Sequence, residues 1–141
     1  MKRMMMGALL LSMAACGNPA EPDLAPDPTV VPATTDMTLR AGEELAVGGS
    51  VVKIVFARVL EDSRCPVDVV CVWEGNAVVE LGIRMGMGPT FPLQVNSALQ
   101  PQAAEWNGVR VTLLELHPAP RAGVPIRPED YSVKIRVESV R

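Results

Sequence analysis

Few side chains in this chain are equipped for chemistry, and most of them sit in one stretch. Asp62-Ser63-Arg64-Cys65-Pro66-Val67-Asp68-Val69-Val70-Cys71-Val72-Trp73-Glu74-Gly75 holds two of the three cysteines, a tryptophan and an arginine beside the first thiol. Paired thiols can form a structural disulfide, cycle between redox states or ligate a metal. The spacing and neighbours favour the first. Cys65 and Cys71 are not in Cys-x-x-Cys spacing, and Asp68 lies between them, where a carboxylate disfavours a thiolate. A structural zinc site wants four ligands, and His117 is the sole histidine, so no metal site is expected. The segment therefore reads as a disulfide-closed corner with Trp73 beside it. In the chain-entropy account a ring this small contributes about 2 kcal/mol. A redox or metal accessory role is the alternative.

Other reactive candidates are weaker. His117 precedes Pro118 at the end of an apolar alternation and reads as a loop-edge residue. No serine or cysteine has a general base in view, so nucleophilic catalysis has no case and no enzyme is expected. Glu43-Glu44 and Glu61-Asp62 read as solvated turns rather than glycosidase carboxylates. Met85 and Met87 flank Gly86 at a hairpin tip, where thioethers could hold copper, but five of the eight methionines fall in the first thirteen residues. No cofactor is expected. The sharpest binding idea is Arg64 on a stiff ring: a rigid loop with a basic residue has the form of a protease-inhibitor loop, because rigidity lowers the ordering cost of binding. The competing expectation is that Arg64 pairs with Asp62. Arg64, Trp73 and Asp68 are the candidate binding corner.

These residues need elements to hold them and an address. Residues 1–15 read as a secretory leader: Lys2 and Arg3 are its positive start, and Met4 to Met13 is an apolar run too short to span a bilayer stably. It ends in Met13-Ala14-Ala15-Cys16-Gly17, which resembles the bacterial lipobox, with Met13 where leucine is usual. That resemblance implies a lipid-modified Cys16 as the mature first residue, carrying a thioether-linked diacylglycerol and usually an acylated amine (a palmitate-type modification). Two or three acyl chains anchor stably. It also leaves Cys65 and Cys71 as an even pair in an oxidising compartment. Gly17 is not the aspartate that retains such proteins at the inner membrane in enteric bacteria, so the outer membrane or surface is favoured. An ordinary secretory leader with a free Cys16 is the alternative.

Residues 16–35 form a tether. From Gly17 to Thr35 there are five prolines, three acids and no aromatic, a composition that cannot build a core and favours polyproline II. At ~3.1 Å per residue the spacer reaches at most ~60 Å. The chain carries a formal charge of −3, or −5 once Lys2 and Arg3 leave with the leader. With no basic run, nucleic acid is not an expected partner.

Residues 36–141 form the remaining domain, large enough to bury near two thirds of its surface and fold alone. Across the whole chain, thirteen prolines and eleven glycines argue for turns over helices. Short strands are expected at Met37–Arg40 and Leu45–Val47. In the long strand from Ser50 to Glu61 the polar residues change parity between Lys53 and Arg58, which predicts a one-residue bulge near Ala57 and Arg58, with Ile54, Phe56 and Val59 inward. Trp73, Ala77, Val79, Leu81, Ile83 and Met85 share one face. Phe91, Leu93 and Val95 follow as a hairpin partner, on an edge because Pro92 cannot donate. Residues 98–105 are ambiguous and could hold one helical turn. Asn107-Gly108 is a tight-turn signal. Val109, Val111 and Leu113 face in, and a second bulge is expected at Leu113 and Leu114, because Glu115 and His117 would otherwise be buried. Tyr131, Val133, Ile135 and Val137 alternate cleanly. Six to seven strands imply an all-β antiparallel sandwich or small barrel.

Ser63-Arg64-Cys65-Pro66, with Cys71, Trp73 and Gly75, resembles the corner of a loose group of small bacterial lipoproteins in which no catalytic residues are established. Phe56 ahead of the corner and Tyr131 to Val137 as closing strand fit that frame, over most of residues 50–141. The resemblance implies a lipid-anchored, β-rich domain of the bacterial cell envelope and carries no catalytic residues over. It is expected to be a monomer that meets the membrane through Cys16 and serves as a binding or envelope-structural protein of unknown ligand, with any binding, to a protein partner or otherwise, at its corner and loops.

Overall fold

The computed structural model describes residues 33–140. The leader, Cys16 and nearly all of the expected tether lie outside them. Eight strands form two four-stranded antiparallel sheets, so the architecture is an open sandwich and not a closed barrel. The strands are β1 (Thr34–Arg40), β2 (Glu44–Ala46), β3 (Val52–Asp62), β4 (Ala77–Met85), β5 (Phe91–Asn96), β6 (Ala103–Trp106), β7 (Val109–His117) and β8 (Ser132–Ser139). One sheet has the order β1-β8-β7-β6 and the other β2-β3-β4-β5.

Period-two patterning produces the core. The inward residues of β3 and β4 (Ile54, Phe56, Leu81, Ile83) meet those of β1, β7 and β8 (Leu39, Val111, Val133, Ile135), and all are fully buried. Two bulges reset the parity of β3. Pairing with β4 shifts between Phe56 and Arg58, as the Lys53–Arg58 parity change requires, and again between Val59 and Glu61. The second shift was not expected. Without it, alternation from Val59 would turn Glu61 inward. With it, Glu61 faces solvent and Asp62 turns into the molecule. On β7, the shift between Leu113 and Glu115 leaves Leu114 unpaired and returns Leu116 to the core.

Several boundaries differ from the sequence reading. β1 starts at Thr34, two residues inside the expected tether, because Thr34 and Thr35 pair with Glu138 and Val137 of β8. Residues 98–105 contain no helical turn; Ala103–Trp106 is an eighth strand paired with β7 through the Asn107-Gly108 turn, where both residues have positive φ. Val47 leaves β2 to begin a 3-10 turn but stays buried. Trp73 and Met85 do not share the buried face of β4: the strand starts only at Ala77, and both side chains are exposed. Phe91 is also partly exposed, at the start of edge strand β5, and stacks at a tilt on Trp106 with ring centroids 5.4 Å apart.

The two ends of the sandwich have different jobs. Thr34 pairs with Glu138 and Val109 with Ser139, so the chain enters β1 at the end that carries the Asn107-Gly108 and Gly86 turns. The cysteine segment, the 97–102 loop and the 118–131 loop gather at the opposite end.

Candidate functional site: the cysteine corner

The corner begins as a continuation of the β3–β4 ladder. Beyond the last strand pair, Asp62 with Ala77, Ser63 N–H donates to Asn76 O at 2.7 Å and Cys65 N–H to Glu74 O at 2.8 Å. The two chains run so close that a Cβ on Gly75 would lie 1.9 Å from Ser63 O, and Gly75 has φ +73°. Only glycine fits there. Cys65 and Cys71 are joined by a disulfide, which closes the segment into a ring. The ring then leans on the 118–131 loop: Val67 N–H donates to Pro120 O at 3.0 Å, and Ala122 N–H donates to Asp68 Oδ1 at 2.9 Å. Asn76 fixes the other flank, with its Nδ2 on Asn96 Oδ1 and its own Oδ1 accepting from Ala98 and Leu99 N–H.

Beneath the ring lies a charged knot. Arg64 donates from Nε to Asp62 Oδ1 at 2.8 Å and from Nη2 to Oδ2 at 2.7 Å. Nη1 and Nη2 also donate to two carbonyls on either side of His117: Leu116 O at 2.6 Å and Pro118 O at 2.9 Å. Tyr131 Oη completes the set, donating to Asp62 Oδ2 at 3.0 Å. Asp62 belongs to one sheet, while Leu116 and Tyr131 belong to strands of, or leading into, the other. The knot therefore staples the two sheets at this end. Burial pushes the Asp62 carboxyl up, but hydrogen bonds from Arg64 and Tyr131, with the Arg64 charge, outweigh it and hold the group below the ordinary carboxylate range. Burial, then the hydrogen bond to Asp62, pushes the Tyr131 phenol up to about 12.

The three residues of the expected binding corner thus part company. The Arg64 side chain is only 14% exposed and makes four hydrogen bonds within the molecule, so it does not project as an inhibitor's basic residue must; the Asp62 pairing is what forms. Asp68 keeps a solvent-facing position, but one of its oxygens is used to hold the 118–131 loop. Trp73 is presented to solvent, 82% exposed. It does not stand alone. Val70 and Val72 are 102% and 91% exposed, with Val67 and Val69 beside them on the ring. Trp73 and Leu99 wall a surface hollow of about 310 Å³, floored by Ser63, Gly75 and Asn76 and edged by Glu74. In the sequence the valines form an apolar run in, and one residue past, a ring too small to bury them. Asn76 and Tyr131 carried no local signal.

The other candidates lie elsewhere. His117 faces outward with Nε2 2.9 Å from Glu115 Oε2, on the far side of its strand from the knot its neighbours feed. Its hydrogen bond, then the Lys134 charge, lowers the Glu115 carboxyl. Met85 and Met87 are exposed around the Gly86 turn at the opposite end. Among the described residues no three His, Cys, Asp or Glu side chains gather as a metal site, and no helix is long and apolar enough to cross a membrane.

No family model matches this chain, nor does any curated protein or solved structure.

Proposed function

We propose that this chain is a lipid-anchored, exported β-sandwich of the bacterial cell envelope that acts without catalysis, by holding a protein partner at its cysteine corner. The observation that carries the reading is the crest Val70, Val72 and Trp73: large apolar side chains almost fully in water on a backbone held by a disulfide, two ladder rungs and two loop contacts. Exposed apolar patches mark interaction sites, and aromatic anchors on pre-ordered loops bind at low entropic cost. An anionic lipid surface suits the crest poorly, since the chain is acidic overall. The anchor, on Cys16, rests on the lipobox resemblance and the outer membrane on Gly17. The crest points away from the end where the tether enters, which is the orientation a membrane-held binder requires.

The test is site-specific photo-crosslinking in the native envelope. A crosslinker at Val70 should give a discrete protein adduct that Trp73→Ser abolishes, while one at Thr38 in β1 gives none. Equal adducts from both positions, or none from Val70, would sink the reading. Intact mass of membrane-extracted protein tests the anchor separately: acylation on Cys16, with Cys65 and Cys71 alkylated only after reduction, is expected.

A further inference from the structure

The end of the sandwich opposite the corner carries a second feature that partner binding at the crest does not use. Met85, Gly88, Pro89, Phe91, Trp106 and Asn107 line an apolar hollow of about 460 Å³. Its two rings come from the facing edge strands of the two sheets, Phe91 from β5 and Trp106 from β6, and they tilt against each other at 34°. Aromatic pairs of this kind, with an amide side chain at the rim, take polyproline II segments, whose pyrrolidine rings fit between aromatic faces and whose stiffness keeps the ordering cost small.

The chain supplies such a segment and delivers it to this end. Residues 17–32 contain all five prolines of the tether, with Leu24-Ala25-Pro26-Asp27-Pro28 in the middle. Ala33 O accepts from Ser139 N–H at the edge of the sheet, and Val140 N–H donates to Gly108 O beside Asn107. From β1 across β8 and β7 to β6 is three strand spacings, ~14 Å. Pro28 precedes Ala33 by five residues, which as polyproline II covers ~15 Å. Five residues therefore bring Pro28 to the β6 edge of the hollow. A short tether also sets an effective concentration on the order of mM, so even a contact with a Kd of that order is about half filled.

We propose that the Phe91–Trp106 hollow is the docking site for the chain's own proline-rich segment, centred on Pro26 and Pro28. Docked, the segment holds the domain by the end away from the corner and leaves only the residues ahead of Pro26 as free spacer. The inference stands apart from the corner reading and neither depends on the other.

The test uses the full mature chain in lipid nanodiscs, with Trp73→Phe so that Trp106 is the sole indole. Acrylamide quenching of Trp106 is measured with and without Pro26→Gly/Pro28→Gly; Pro19→Gly/Pro22→Gly serves as control, and a thermal melt checks that each variant is folded. Loss of docking from a half-filled or better site should raise the quenching constant by about twofold at every protein concentration, with no change in the control. Equal quenching in the parent and the Pro26/Pro28 variant overturns the proposal, whether solvent or lipid covers the hollow. Protection that disappears on dilution also overturns it, because it assigns the hollow to a second copy's segment.

Discussion

Arg64→Ala should be strongly destabilising, and its size can be worked out from its partners. The change leaves the Asp62 carboxylate, 11% exposed, with Tyr131 as its one remaining side-chain donor, and strips a donor from both Leu116 O and Pro118 O. Removing one member of a fully buried pair costs about 3–5 kcal/mol. The pair here keeps some contact with water, which can solvate the freed groups, so the lower end applies, about 3 kcal/mol. For a domain of this size that is a fall in Tm of about 12–20 °C. The charge should matter more than the volume: Asp62→Asn in the Arg64→Ala background should recover about 1 kcal/mol or more, because the orphaned charge is gone. The pH dependence should also change. With Arg64 present, the folded Asp62 pKa lies below its unfolded value, so its contribution is complete above the unfolded value and is lost as pH falls through the folded one. Without Arg64, burial dominates and that contribution changes sign, so acidification towards pH 4 should narrow the gap between variant and parent. Chemical denaturation at a series of pH values reads all three effects. A loss under 1 kcal/mol at neutral pH, or no coupling with Asp62→Asn, would refute the staple argument.

Further outcomes follow from the same geometry. Tyr131→Phe should cost about 1–2 kcal/mol by removing a donor to a mostly buried carboxylate, measured by urea melts. In the parent, the phenol's folded pKa is raised, so its contribution is whole below about pH 10 and is lost as pH rises towards about 12, followed by tyrosinate absorbance against unfolding. Gly75→Ala should cost about 3 kcal/mol or more, since it combines a positive-φ position with a Cβ 1.9 Å from Ser63 O, and hydrogen exchange should show the damage spreading from residues 63–65 and 74–76. Replacing Cys65 and Cys71 with alanine should cost about 2 kcal/mol in denaturant melts. Val70→Ser with Trp73→Ser should stay within about 0.5 kcal/mol of the parent by thermal melting, because neither side chain leaves water on folding.

What could be read from the sequence was whatever shows as parity. Lys53 against Arg58, and Glu115 and His117 behind Leu113, announced two of the three bulges, because a charged residue on the wrong face is a local contradiction. The third, at Leu60, carries a weaker mark: alternation from Val59 turns Glu61 inward, but Glu61 ends the expected strand and reads with Asp62 as a solvated turn. β6 was illegible because Ala103-Ala104-Glu105-Trp106 does not alternate, and an edge strand of four residues needs little more than its partner's ladder. The corner was legible as a ring through its cysteines, and the Arg64–Asp62 pairing as a contact two residues apart. The rest of the knot was not, since Leu116, Pro118 and Tyr131 lie 52 to 69 residues further along the chain. Trp73 misled because it continues the apolar parity of β4 past the point where the strand itself stops.

The register of the first strand has a mechanical consequence. β1 is held to β8 by seven paired residues and enters the sandwich at one end, while the corner lies at the other. Tension between a held N-terminus and a load gripped at the corner would therefore run along the strands. It would try to slide β1 past β8 and strain the whole ladder together, where a pull from the side would peel it rung by rung. Shear of that kind makes a short strand a strong joint. β1 is thus placed as the link between the domain and whatever restrains the chain ahead of it.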